Sequence, residues 1–274
     1  MTDPMPPHGH LCWSYDDQEV FADEAERHVV AGLAAGARVW FVTPTPAGPV
    51  AERLVRLPGF ADAVDSGAAA LVPLGETYTA GAVVDPPAQV AAYAAATEAA
   101  LAAGFTGLRV VAEATDMVRT PRQLAAFTRY EHQIDRWMRT GPFAAVCAYD
   151  RSALGDATVA ALACMHPESN QTEPMFHLYA TAPVDGHAAL TGELDPSNQE
   201  LFRDALEWAD LRPTDGRLVL QATGLRFLDH RALIALQAYA VRRDATVVLR
   251  TSHPTPARLT DLLGLTAIQV ETVR

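Results

Sequence analysis

The chain has 274 residues, 49% of them hydrophobic and 20% charged, a length that favours two domains with separate cores and a composition that excludes intrinsic disorder. Its net charge of −12 is spread over both halves, with 11 Arg against 20 acidic residues in positions 1–168 and 10 against 13 thereafter. Neither half has the basic footprint that phosphate contacts require, which excludes direct nucleic-acid binding and disfavours anionic membrane surfaces.

The first predicted element is a strand at His10–Tyr15, which alternates apolar and polar residues. Asp16 with Glu19 resembles a capping box opening a helix to about Ala35, with Val20, Phe21, Ala25, Val29, Val30 and Leu33 at helical spacing and Gly36 as the stop. A strand at Val39–Val42, a helix near Val50–Leu57 and a short strand at Ala70–Leu74 follow. A long helix opens at Pro86-Pro87 and closes at Gly104, before a strand at Leu108–Ala112. An amphipathic helix over Pro121–Arg139, a strand at Ala144–Tyr149 and a helix over Asp156–Met165 complete this part. Such alternation predicts an α/β fold with a mainly parallel sheet covered on both faces.

The stretch from His166 to Pro174 changes texture and reads as a linker, which places domains at 8–168 and 175–274 with 169–174 between them. Beyond it, strands around Phe176–Tyr179 and Ala188–Thr191 flank the turn-prone Val184-Asp185-Gly186. A helix over Gln199–Ala209, a strand at Leu218–Ala222, a helix over Ala232–Arg242, a strand at Thr246–Arg250, a helix over Pro256–Leu263 and a strand at Ile268–Val273 describe a small α/β sandwich.

All 21 basic side chains are arginine. A Walker A P-loop is therefore excluded, since its lysine must reach the phosphates, and so is Schiff-base chemistry. A GC-rich genome accounts for the missing lysine without any functional reason. The longest apolar stretch, residues 91–103, is broken by Thr97 and Glu98 and is too short to span a bilayer. The first ten residues hold three prolines and no basic residue, unlike a secretory signal. Three scattered cysteines, Cys12, Cys147 and Cys164, do not describe a disulfide framework. The expectation is a soluble, cytoplasmic protein with reduced thiols.

In the C-terminal 100 residues, Gly192-Glu193-Leu194-Asp195 precedes the helical Leu201-Phe202-Arg203-Asp204-Ala205-Leu206, and Leu218 leads through Gly224-Leu225-Arg226-Phe227-Leu228-Asp229. This segment resembles a STAS domain, the fold of anti-sigma factor antagonists. The resemblance implies partner-binding residues Asp195, Asp229, His230 and Arg231, and a partner that is an anti-sigma factor or its kinase-like ATPase domain. The family continues from this aspartate with serine, whereas this chain has His230-Arg231-Ala232. The phosphate switch at a helix N-terminus is thus expected to be absent. A surface-facing or partner-contacting imidazole is the main reading of His230, with phosphorylation the minor one.

The N-terminal part carries His10-Leu11-Cys12-Trp13-Ser14-Tyr15, Glu19, Gly32 to Val39, Leu108 to Glu113, Tyr130-Glu131, Val146 to Asp150 and His166-Pro167. In this order they resemble the MEDS domain, a DcmR-type sensory domain. The resemblance implies a RecA-like or KaiC-like core without its phosphate-binding loop, and a role in sensing small molecules such as hydrocarbon derivatives.

Parallel strands collect their carboxyl ends at one edge, where open α/β sheets place ligands. Candidate ligand-binding residues are His10, Cys12, Tyr15, Glu113, Tyr130, Glu131, Cys147, Tyr149 and His166. For Tyr130 and Glu131 the plainer reading is a core tyrosine beside a solvated glutamate, and the acidic run Asp23-Glu24-Glu26 reads as a solvated helix face. The pairs His10-x-Cys12 and Cys164-x-His166 raise a metal or haem site, against the commoner role of buried cysteines as small hydrophobes. No cofactor is therefore assigned.

These readings converge on a non-catalytic regulator in which a sensory domain controls a partner-binding module. The alternatives are an enzyme or metal- or haem-binding protein acting on a small metabolite through the N-terminal domain, with Cys147 or His166 in its chemistry, and a structural component of a larger assembly.

Overall fold

The computed structural model describes residues 9–45, 47–77, 83–171 and 175–273. The chain divides into two compact units, Met1–Val159 with Glu168–Gln171, and Ala160–Pro167 with Thr172–Arg274.

The first unit runs β1 (His10–Tyr15), α1 (Gln18–Ala34), β2 (Arg38–Thr43), α2 (Pro49–Val55), α3 (Phe60–Asp65), β3 (Ala69–Pro73), α4 (Leu74–Thr77), α5 (Pro86–Ala102), β4 (Leu108–Glu113), a 3-10 turn (Thr115–Met117), α6 (Pro121–Met138), β5 (Phe143–Asp150) and α7 (Arg151–Leu154). Then α8 (Asp156–Ala163) crosses the division, and β6 (Glu168–Ser169) returns to the first sheet. The strands lie in the order β3-β2-β4-β5-β1-β6 and every pairing is parallel. Residues 143–149 of the inner strand β5 are all buried, as expected of a strand covered on both faces.

Local chemistry sets the helix starts. Thr120 and Gln123 form a capping box at the head of α6, with Pro121 in the first turn where its missing N–H costs nothing. On α1 the cap is Asp17 and not Asp16, because the Asp17 carboxylate accepts from Glu19 N at 2.8 Å. Within the acidic run that reads as solvated, Asp23 is exposed as expected, Glu24 is not, and all three carboxylates are paired. Glu24 is buried and accepts from Arg27 Nε at 3.1 Å and from His28 Nε2 at 2.7 Å, while Asp23 and Glu26 meet Arg53 of α2 at 2.6 and 2.9 Å.

The polar stretch read as a linker contains β6, which pairs with β1 through Leu11 with Glu168 and Cys12 with Ser169. Asn170 extends that pairing: its side chain accepts from Ser14 N at 2.9 Å and donates to Ser14 O at 2.7 Å. An amide side chain thus substitutes for a further pair of backbone groups, which hydropathy patterning does not reveal. Positions 172–174 of that stretch lie outside the described residues.

The second unit contains β7 (Phe176–Ala180), β8 (Ala188–Leu194), α9 (Gln199–Ala209), β9 (Arg217–Gln221), β10 (Leu225–Leu228), α10 (His230–Arg242), β11 (Thr246–Thr251), α11 (Thr255–Leu263) and β12 (Ile268–Thr272). Its mixed sheet has the order β10-β8-β9-β11-β12, with β7 antiparallel to β8 and the remaining pairs parallel. Phe176, Leu190, Phe202, Leu218, Leu233 and Tyr239 belong to its core. Gly192 has φ +86°, and a Cβ there would stand 2.0 Å from Met175 O, so this strand position requires glycine. The segment 225–228, where no strand is predicted from sequence, forms a strand beside β8, and α10 begins at His230, two residues before the predicted start.

Candidate functional site

Four strands of the first sheet end at one cavity. Tyr15 ends β1, Thr43 ends β2, Glu113 ends β4 and Asp150 ends β5, and all four line a cavity of about 400 Å³. Gln18 and Phe21 of α1, Phe41 of β2, Pro44 and Thr45 after it, the 48–51 turn opening α2, and Thr115, Asp116 and Arg119 supply the rest of its wall. This is the carboxyl edge of a parallel sheet, where the strand-to-helix connections leave room for a ligand.

The wall combines apolar groups, among them Phe21, Phe41 and Val50, with polar and acidic ones. Tyr15 stacks on Phe21 with ring centroids 4.6 Å apart, and its hydroxyl donates to Glu113 Oε1 at 3.2 Å. Thr115 N also donates to that oxygen, at 3.3 Å. Burial nevertheless holds the Glu113 carboxyl above its ordinary value of 4.5 and pushes the Tyr15 phenol up as well. Arg119 is spent on Asp116 at 2.6 Å, and Asp150 caps α7 by accepting from Ala153 N. Between β1 and α1 stand only Asp16 and Asp17, a connection with no glycine and two negative charges. It offers nothing with which to hold a phosphate chain.

A second group lies buried between the sheet and α6. His10 Nε2 donates to Glu131 Oε2 at 2.9 Å, and its Nδ1 faces Asp135 Oδ1 at 3.4 Å. Tyr149 OH donates to Glu131 Oε1 at 2.9 Å, and Cys147 Sγ stands 3.7 Å from both Glu131 Oε2 and His10 Nε2. Arg139 closes the network on Asp135 at 3.1 and 3.2 Å. Burial alone would push the His10 imidazole down, but its bonds to Asp135 and Glu131 carry it from 6.5 to about 9. The imidazolium and Arg139 together balance the two carboxylates, which is the condition for burying such charges. Burial pushes the Cys147 thiol and the Tyr149 phenol up, so both keep their protons.

The sequence-derived candidates therefore separate. Tyr15 and Glu113 enter the cavity; His10, Glu131, Cys147 and Tyr149 enter the buried network. Cys12 is fully buried two residues after His10 and opposite Cys147 in register. Tyr130 packs edge-on against Phe127 at 5.3 Å in the core. Glu131 is fully buried rather than solvated, because the face of α6 that carries Phe127, Glu131, Ile134 and Asp135 is turned inward.

Cys164 and His166 belong to the second unit. The Cys164 thiol donates to Ala161 O at 3.2 Å and is pushed up by burial, and His166 Nδ1 donates to Leu162 O at 2.8 Å. In the same unit Asp195 accepts from Ser197 N at 2.8 Å, and Asp229 caps α10 by accepting from Ala232 N at 2.9 Å. His230 and Arg231 are exposed at the start of α10, whose outer side also presents Ile234, Ala238 and Val241.

Sequence reasoning missed Asp135 and Arg139 in the network and Thr43, Thr115, Asp116, Arg119 and Asp150 in the cavity. Asp135 had a signal: it lies one helical turn after Glu131 on the same side of α6. Among the described residues no helix is long and apolar enough to cross a membrane. No curated protein matches the chain. Residues 9–167 match MEDS, the methanogen/methylotroph, DcmR sensory domain, and since that match takes in more than half of the chain, the protein belongs to the MEDS family.

Proposed function

We propose that the protein is a signalling regulator whose first unit senses a small molecule in the cavity at the carboxyl edge of its sheet. The observation that carries this reading is the convergence of Tyr15, Thr43, Glu113 and Asp150 on one cavity of about 400 Å³ in a chain of a sensory family. A RecA-like core without its phosphate loop is in keeping with the all-parallel sheet and with the acidic two-residue connection after β1. Three carboxyl groups against one paired arginine favour a small uncharged or cationic ligand over a nucleotide.

In this reading the second unit is a STAS-like, anti-sigma-antagonist-type module that binds a partner protein, an anti-sigma factor or a kinase-like regulator. The exposed side of α10, with His230, Arg231, Ile234 and Val241, supports it, since apolar groups beside a cation suit a protein interface. Ligand binding in the first unit sets the strength of that interaction. No phosphorylatable serine follows Asp229, so control does not pass through a phosphate there. A catalytic role for Cys147 is disfavoured by its retained thiol proton.

The test is a thermal-unfolding screen of the full chain against short-chain alcohols, amines and halogenated hydrocarbons, alongside Thr45→Trp, which places an indole at a residue lining the cavity. A compound that raises the unfolding temperature of the parent and not of Thr45→Trp supports the reading. Equal stabilisation of both proteins rejects it.

A further inference from the structure

We propose that His10, Glu131 and Cys147, from β1, α6 and β5 of the first unit, form a zinc site separate from the sensory cavity. The three donor atoms face one another, with His10 Nε2 and Glu131 Oε2 at 2.9 Å and Cys147 Sγ at 3.7 Å from each. An imidazole, a carboxylate and a thiolate are the ligand types of zinc sites, and bonds of about 2.0 to 2.3 Å in tetrahedral geometry separate ligand atoms by roughly 3.3 to 3.7 Å. Only the His10–Glu131 pair has to open, by a few tenths of an ångström. Donor atoms this close face a single ion and leave no room for a macrocycle.

The surrounding groups match what a metal site needs. Ligating histidines characteristically give their second ring nitrogen to a carboxylate, which fixes the ring and raises its basicity. Here His10 Nδ1 faces Asp135, and Asp135 is itself held by Arg139. The second oxygen of Glu131 is occupied by Tyr149 OH, which leaves Oε2 turned toward the histidine and the thiol. Cys12, opposite Cys147 in register, adds a further sulfur beside the trio.

Charge also balances. Zinc enters as the Cys147 thiol loses its proton and His10 loses the proton on Nε2, so a dication replaces two protons and the buried cluster keeps its net charge. A packing-only role for the cluster gives no reason for a thiol to share this point with an imidazole and a carboxylate.

The experiment uses the full chain, stripped with chelator and titrated with cobalt(II) as a spectroscopic probe for zinc. The expected result is one cobalt per chain, with visible bands of tetrahedral cobalt and a near-ultraviolet thiolate-to-cobalt band, both abolished by added zinc. Cys147→Ser keeps the side-chain size and loses the thiolate band, His10→Gln loses stoichiometric binding, and Cys164→Ala changes neither. Circular dichroism of each variant establishes that it is folded. Folded parent protein that takes up no stoichiometric cobalt overturns the proposal. So does a thiolate band that survives in Cys147→Ser, which would place the ion elsewhere.

Discussion

His10 and Glu131 are 121 residues apart in sequence and meet at 2.9 Å with neither side chain exposed to solvent. One lies on the first strand and the other on the helix that precedes β5, so the pair ties α6 to the sheet by an interaction that tolerates no partial loss. Removing one partner leaves a buried charge uncompensated, at a cost of about 3 to 5 kcal/mol. Glu131→Ala is accordingly expected to lower the urea midpoint strongly. Tyr149→Phe, which takes one donor from a buried carboxylate, is expected to cost about 1 to 3 kcal/mol in the same measurement.

Glu113 sets a pH dependence of known sign. Its carboxyl is raised above 4.5 by burial in the folded state, so the protonated form is favoured there. Its contribution to stability is complete below 4.5 and is lost as the pH rises through the elevated folded value. Glu113→Gln, which stays neutral, should therefore gain stability relative to the parent as the pH is raised from 4.5. Urea unfolding of both proteins across that range checks this, and a constant difference would contradict it.

Gly192 is expected to be intolerant of a side chain. Its φ of +86° and the approach of Met175 O to 2.0 Å from a Cβ position leave Ala no relaxed geometry. Gly192→Ala should cost about 2 kcal/mol or more, whereas Gly216→Ala, where nothing stands near the added methyl group, should cost only the backbone strain of its positive φ, about 1 kcal/mol.

The outer side of α10 gives a prediction that separates binding from stability. Arg231 and Ile234 are exposed, so Arg231→Ala with Ile234→Asp should leave the unfolding free energy within about 0.5 kcal/mol per site. If this side of α10 is the partner-binding face proposed above, the same double variant should lose, in an affinity measurement, a partner protein that the parent captures. Asp229→Ala is a poorer probe, because it also removes the α10 cap at about 1 kcal/mol.

Much of this fold is legible in the sequence, because its helices and strands carry strong periodic patterns and clear stops. The helix Gln199–Ala209 falls where apolar spacing places it, and Gly36 ends α1 in a left-handed turn, as a glycine at that position predicts. What escapes is side-chain pairing across long separations. Glu131 reads as solvated because an acidic residue on an amphipathic helix usually is, and its burial is compensated by His10 arriving from β1 and Tyr149 from β5. The edge strand β6 escapes for a similar reason, since two residues and an asparagine clamp carry no hydrophobic signal. The split of the candidate residues into a cavity and a buried network follows from strand alternation, which places Tyr15 and His10 on opposite faces of β1.

In the proposed function a small molecule binds at the carboxyl edge of the first sheet. Amide hydrogen exchange of the full chain, with and without a compound that stabilises it, tests this most directly. Slower exchange is expected in residues 41–45, 48–51 and 113–119 and at the start of α1, the segments that contribute to the cavity wall. Protection that leaves these segments unchanged and appears elsewhere in the chain would contradict it.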